Sequence, residues 1–229
     1  MNVATALNKK YMRYVIVMLT SLCMNNEKHI DAFILHSELT EDDIIFMEKS
    51  LADYDISIIP IKVDSCIFDE RFPRNSQWTV ETYYRLLLIE LLPENVDRIL
   101  YLDADIIVNK NIYEFYDIDF GDDEIIACVD SLGKSGWNVR SDKQRQMFSS
   151  MIERGYRYFC AGVMLMNIAA IREKYNFDSY MDAAKAWDYK MSAPDQDLLN
   201  FVHWEKIGYV DPYEYNLFAR IAHNEKNDL

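Results

Sequence analysis

Apolar runs and stretches of helical periodicity alternate along this chain, the pattern of a mainly parallel sheet covered by helices on both faces. Val3 to Leu7 reads as a first strand, Tyr11 to Met24 as a helix and Ile30 to Leu35 as a second strand. Thr40 stands as an N-cap with Asp43 three residues on, and Ile44, Met47 and Leu51 share one helical face. Ile56 to Val63 is the third strand. After an irregular stretch over 64–79, Val80, Tyr83, Tyr84, Leu87, Leu88 and Leu91 recur at helical spacing until Pro93, with Arg85 off that stripe. Strands follow at Arg98 to Val108 and Glu124 to Val129, then a polar helix near 141–154. Tyr158 to Asn167 is a long strand, and helices over 168–188 and 195–204 complete the order. No internal repeat, low-complexity run or linker interrupts it, and the whole of 1–229 reads as one α/β domain.

One strand breaks its own pattern. In RILYLDADIIV (Arg98 to Val108), Asp103 and Asp105 stand in an otherwise apolar run, and unpartnered carboxylates are expensive to bury. Strand geometry points residues 103 and 105 to one side, at the carboxyl end where open α/β sheets bind ligands. Two readings are open at this point. Converging acids suit a hard divalent cation, Mn²⁺ or Mg²⁺, which takes carboxylate, water and phosphate oxygens. Equally, D-x-D is a short pattern, and two solvated acids at a strand-to-turn junction satisfy it.

Composition narrows the partners. A formal net charge of −14 argues against a nucleic-acid binder, and any polyphosphate ligand needs a cation. With six glycines there is no Gly-rich phosphate loop. The four cysteines, Cys23, Cys66, Cys128 and Cys160, are scattered without CxxC spacing, which suits a reducing, cytoplasmic setting. Lys9, Lys10 and Arg13 precede an apolar stretch from Val15 to Cys23, but without an A-x-A site it does not read as a signal peptide. It is also too short to span a bilayer, so membrane association is peripheral at most.

Three stretches in order, RLLLIELLPENVDRILYLDADIIV (Arg85 to Val108), FCAGVMLMN (Phe159 to Asn167) and PDQDLLN (Pro194 to Asn200), resemble glycosyltransferase family 8. That family includes bacterial lipopolysaccharide glucosyl- and galactosyltransferases and glycogenin. The resemblance runs from Val17 to about Tyr215. It implies a GT-A fold, a Rossmann-like sheet joined to an acceptor-binding half. The implied reaction is transfer of a hexose from UDP-glucose or UDP-galactose to a sugar acceptor, with retention, using Mn²⁺ or Mg²⁺ held by Asp103 and Asp105.

Other positions carry over individually. Asp130 matches a family acid near the donor sugar, though a strand-end turn residue would look the same. Arg85 matches an arginine beside the donor, though an off-stripe arginine is also simply solvated. Gln196 matches the residue beside the reacting carbon and Asp195 one near the sugar hydroxyls; without the resemblance Asp195 only complements a helix dipole. Ala161, beside Cys160 in FCAGVMLMN, is taken with it as a donor-side contact.

There are departures. In ALNKKY (Ala6 to Tyr11), Asn8 stands where the family's uridine-binding turn usually has aspartate; an amide still pairs with a uracil edge, so Asn8 and Tyr11 are expected nucleotide contacts. Cys160 replaces a usual asparagine. The family's metal-binding H-x-x-G-x-x-K-P-W stretch is not found before Leu229, and His223 reads as a surface residue. His29, His36 and His203 read as structural. Against the transferase stand a non-catalytic nucleotide-sugar-binding module and a nucleotidyltransferase, the last lacking its glycine-rich loop.

Overall fold

The structure, a computed structural model, describes residues 1–74, 79–130 and 142–219. Seven strands form one sheet in the order β3-β2-β1-β4-β6-β5-β7. They are β1 (Asn2–Ala6), β2 (Ile30–His36), β3 (Ile56–Lys62), β4 (Arg98–Leu102), β5 (Ile125–Val129), β6 (Phe159–Asn167) and β7 (Ile207–Val210). β6 alone runs against its neighbours β4 and β5, and the other pairings are parallel. The expected mostly parallel sheet is present, with β7 an addition that the weak apolar pattern of IGYV did not reveal.

Alternation along the strands divides the core into two layers. In β4, Ile99 and Tyr101 face one layer while Leu100 and Leu102 face the other. The second layer is closed by α1 (Met12–Asn25), α2 (Glu41–Ser50), α4 (Tyr113–Tyr116) and α9 (Pro212–Tyr215). On the first lie α3 (Leu88–Leu91), α5 (Asp142–Glu153), α6 (Ile168–Lys174), α7 (Phe177–Ala186) and α8 (Pro194–His203). Thr40 and Asp43 form the expected capping box on α2. The stretch expected as one helix over 168–188 is two, because Asn176 and Ser179 cap α7 reciprocally and end the preceding turn.

Two local departures from regularity make the site. The expected helix from Val80 to Leu91 is a 3₁₀ helix (Val80–Leu87) that only then passes into α3. At three residues per turn Thr82, Arg85 and Leu88 align, so Arg85 turns inward and is 6% exposed. The solvated alternative for Arg85 is therefore wrong. The second departure is in β6, where the step from Ala127 to Val129 on β5 is matched by the longer step from Met164 back to Phe159. Phe159 and Ala161 face the first layer, yet Val163 and Leu165 face the second, so the alternation switches at Gly162.

Candidate active site

β4 stops at Leu102, and Asp103, Ala104 and Asp105 lie in the turn beyond it. The expectation that strand pleating aligns the two acids is corrected: their proximity comes from a turn at the strand's carboxyl end. Both line a cavity of about 290 Å³ whose wall also carries Asn8, Tyr11, Arg85, Cys160, Asp195 and Gln196.

Arg85 is the hub. Its Nη2 donates to Asp103 Oδ1 at 2.7 Å, its Nε faces Asp195 Oδ2 at 3.0 Å, and its Nη1 donates to the Ala161 carbonyl at 2.6 Å. The guanidinium also lies over Tyr101, 4.3 Å from the ring centroid. Burial disfavours its charge, but the two carboxylates prevail and hold the guanidinium protonated. A planar fork holds its five donors at fixed spacing in one plane, which suits acceptors on three sides in a way that a compact ammonium does not reproduce. Burial pushes Asp195 up to about 6 despite Arg85, with the Asp103 charge adding to the rise. Asp103 is likewise raised, first by burial, against the pull of Arg85, and then by its neighbour Asp105.

β6 supplies the opposite wall. The Gly162 carbonyl accepts from the Asp103 N–H at 2.9 Å, and a β-carbon at position 162 would meet Asp103 Oδ2 at 2.8 Å. Only glycine leaves room for that carboxylate. Ala161 donates its N–H to Gln196 Oε1 at 2.9 Å, and Gln196 Nε2 donates to Asp130 Oδ2 at 3.1 Å. Cys160 lines the same cavity, its thiol pushed up by burial to about 11 and so protonated. Pro194 starts α8, as its fixed φ favours, and puts Asp195 and Gln196 in the first turn. Asn200, one turn after Gln196, accepts from the Phe159 N–H at 2.8 Å and donates to the Phe159 carbonyl at 3.0 Å, locking α8 to β6.

At the other end of the cavity Asn8 caps the turn Lys9–Tyr11 by accepting from the Lys10 N–H at 3.1 Å, and Tyr11 is 41% exposed beside it. The structure thus brings together around one cavity Asn8, Tyr11, Arg85, Asp103, Asp105, Cys160, Ala161, Asp195 and Gln196, with Asp130 joined through Gln196. Sequence reasoning missed Gly162, Tyr101 and Glu81 as parts of it. Gly162 sat in a quoted stretch, and its chain-specific role shows only once β6 pairs with β4.

His203 is structural: it is buried, with Tyr180 at 2.9 Å from Nε2 and Glu124 at 2.8 Å from Nδ1. His36 accepts from the Leu39 N–H, His29 faces Asp55, and His223 lies outside the described residues.

A glycosyl transferase family 8 profile matches residues 2–228. This chain belongs to that family. Relatives include a lipopolysaccharide 1,3-galactosyltransferase of Salmonella typhimurium, 26% identical over 92% of this chain and 61% of its own length. A lipopolysaccharide 1,2-glucosyltransferase of Escherichia coli is 27% identical over 99% of this chain and 66% of its own. A putative glycosyltransferase of Haemophilus influenzae is 24% identical over 92% and 62%. The chain thus spans about two thirds or less of the length of these curated relatives. The fold matches that of the galactosyltransferase LgtC, solved in complex with donor and acceptor sugar analogs. Its TM-score is 0.76 at 24% identity, over 93% of this chain and 74% of that one. The family's GT-A architecture is therefore the architecture here, and no described helix is long and apolar enough to cross a membrane.

Among the described residues no three His, Cys, Asp or Glu side chains form a ready metal cage. Asp103 and Asp105 nevertheless fit a hard divalent ion. The Gly162 cradle fixes one carboxylate, the two acids repel each other, and such ions complete their shell with water and phosphate oxygens.

Proposed function

We propose that this chain transfers a hexose from UDP-glucose or UDP-galactose to a glycan or lipopolysaccharide-type acceptor, with retention of anomeric configuration. The observation that carries the reading is the meeting, in one cavity, of the glycine-cradled Asp103, the buried Arg85–Asp195 pair and a Gln196 tethered at both ends. Asp103 and Asp105 would hold Mn²⁺, or Mg²⁺, and the bound ion would let the donor's diphosphate lie beside these acids and would neutralise the charge that grows on departing UDP. Asn8 and Tyr11 take the uracil end.

Arg85 and Asp195 face the donor sugar. The Gln196 carbonyl accepts from the Ala161 N–H and its amide donates to Asp130, so both ends of the side chain are tethered and its dipole is oriented in advance. As the bond from C1 to the diphosphate oxygen breaks, that fixed dipole and the nearby Asp130 steady the positive charge on the sugar. The acceptor oxygen forms the new bond to C1, and its proton leaves with the phosphate oxygen on the same face. The decisive experiment measures UDP binding by calorimetry with and without Mn²⁺, then UDP release from a panel of UDP-sugars with candidate acceptors. Metal-dependent binding with acceptor-dependent release supports transfer, and binding without release supports a nucleotide-sugar-binding module. Absence of metal-dependent UDP binding would refute the site.

A further inference from the structure

The cavity holds a carboxylate that no part of the reaction above uses. Glu81, near the start of the 3₁₀ helix, is 8% exposed and lines the wall with Thr79, Thr82 and Arg85. The Thr79 hydroxyl donates to its Oε2. Among the described residues no donor reaches Oε1. A carboxylate taken so far out of water normally collects several donors, and one hydroxyl is poor compensation. Arg85, on the same wall, makes no bond to Glu81: its Nη2, Nε and Nη1 are directed at Asp103, at Asp195 and the Thr82 carbonyl, and at the Ala161 carbonyl.

Glu81 Oε1 is not one of the sealed, unpaired side-chain oxygens among the described residues, so it is open to the cavity and can take donors from what fills it, water or ligand. A diphosphate offers none; its oxygens only accept and would repel Glu81. Adjacent hydroxyls do offer them, and the two oxygens of a carboxylate suit the paired O–H groups of a vicinal diol. A nucleotide sugar carries that chemistry twice, on the ribose and on the hexose.

We propose that Glu81 is a donor-binding residue whose free carboxylate oxygen accepts hydrogen bonds from vicinal hydroxyls of the nucleotide sugar. This rests on the donor reading of the cavity. The test compares wild type with Glu81→Gln by calorimetry in Mn²⁺ against UDP, 2′-deoxy-UDP and UDP-glucose, with thermal melts of the ligand-free proteins.

Glu81→Gln keeps an acceptor for Thr79 but removes a charge-assisted partner, so affinity for UDP-glucose should fall about tenfold. Because the Thr79 hydroxyl is the one described donor to Glu81 and glutamine keeps an acceptor for it, the substitution should leave the ligand-free melting temperature unchanged or raised. Weaker binding without lower stability separates a ligand contact from a merely structural role. Should the loss recur with UDP and vanish with 2′-deoxy-UDP, the ribose is the partner; should it appear only with UDP-glucose, the hexose is. Either supports the proposal. Equal affinities of the two proteins for all three ligands would overturn it while leaving the site reading intact. A wild type that binds neither UDP nor UDP-glucose would overturn both. If Glu81→Gln does not fold, Glu81→Asp, which keeps the charge but withdraws it by one methylene, should show the same loss, and unchanged affinity there refutes the contact.

Discussion

Replacing Gly162 by alanine puts a methyl group in place of one hydrogen, and the added carbon has nowhere to go. It would stand 2.8 Å from Asp103 Oδ2, and ordinary contact begins near 3.4 Å, so the carboxylate must retreat by about 0.6 Å. Retreat stretches or breaks the 2.7 Å bond to Arg85, which is worth about 1.5–3 kcal/mol for a charged pair. Rotating Asp103 off its rotamer instead costs about 0.5–1.5 kcal/mol and aims the acid away from the proposed metal site. The Asp103 side chain is 35% exposed, which favours the lower end of these figures.

The expected result is a loss of stability of about 1–2 kcal/mol and of metal-dependent UDP affinity by about tenfold or more. A matched control exists in β7, where a β-carbon on Gly208 would lie 2.7 Å from Asp123 Oδ2, away from the cavity. Gly208→Ala should cost comparable stability and leave UDP binding untouched. Chemical denaturation and calorimetry on both variants decide the matter. Equal UDP affinity in wild type and Gly162→Ala, or equal loss in both variants, would refute the claim that Gly162 holds the metal-binding acid.

Other expectations follow from the same geometry. Arg85→Lys loses the fixed fork that spans both carboxylates and the Ala161 carbonyl and should destabilise the fold by about 2 kcal/mol or more in urea titration; unchanged stability would show that the fork is not needed. Asp105→Asn should weaken UDP binding in Mn²⁺ by at least about tenfold while leaving the ligand-free melting temperature level or slightly higher, since it relieves repulsion on Asp103; intact binding would remove Asp105 from the metal site. Cys160→Asn should alter preference between UDP-glucose and UDP-galactose by a few-fold to about tenfold without changing UDP affinity, and equal effects on all three would place residue 160 off the sugar.

Stability should also fall with acid. Burial lowers His203 below its ordinary 6.5, so the unfolded chain takes up a proton there that the folded chain refuses. Glu124 is lowered by His203 and Lys174, which outweigh its burial, so its contribution is present above its ordinary 4.5 and fades further down. Both act in one direction, with Tyr175 and Tyr180 the other groups facing the ring. Unfolding free energy should decline from pH 7 towards pH 5 by up to about 1.4 kcal/mol per unit per proton, and His203→Gln should flatten that slope. An unchanged slope in the variant would refute it.

How legible all this was in the sequence depended on the range of the forces involved. Strands β1 to β6 and the capping box at Thr40 could be read because apolar period and capping are local. Asp103 and Asp105 stood out because acids are anomalous in an apolar run. Arg85 was legible as a match to the family and illegible as a physical object. Its burial follows from a 3₁₀ helix whose all-round packing between sheet and α8 overrides the helical stripe that its sequence suggests. Gly162 and Glu81 could not be seen, since a cradle and a half-paired carboxylate exist only after distant segments meet. The reversed direction of β6 was equally hidden, because a continuous apolar run does not say which way it runs.

That reversed strand sets a timetable. Arg85, Asp103 and the parallel strands β1 to β4 leave the ribosome early, yet the Ala161 carbonyl that takes the third arm of Arg85 comes 76 residues after it. Until β6 threads in between β4 and β5, two repelling acids and an arginine wait at the open edge of β4 without the groups that fix them. Contacts of such sequence separation are slow to form. The chemistry-bearing corner is therefore expected to be completed late, once β6 joins the two halves of the sheet and α8 brings in Asp195. In pulsed hydrogen exchange during refolding, the Asp103 amide should gain protection together with β6 rather than with β4. A nascent chain stopped before β6 has every acid of the D-x-D turn and no site.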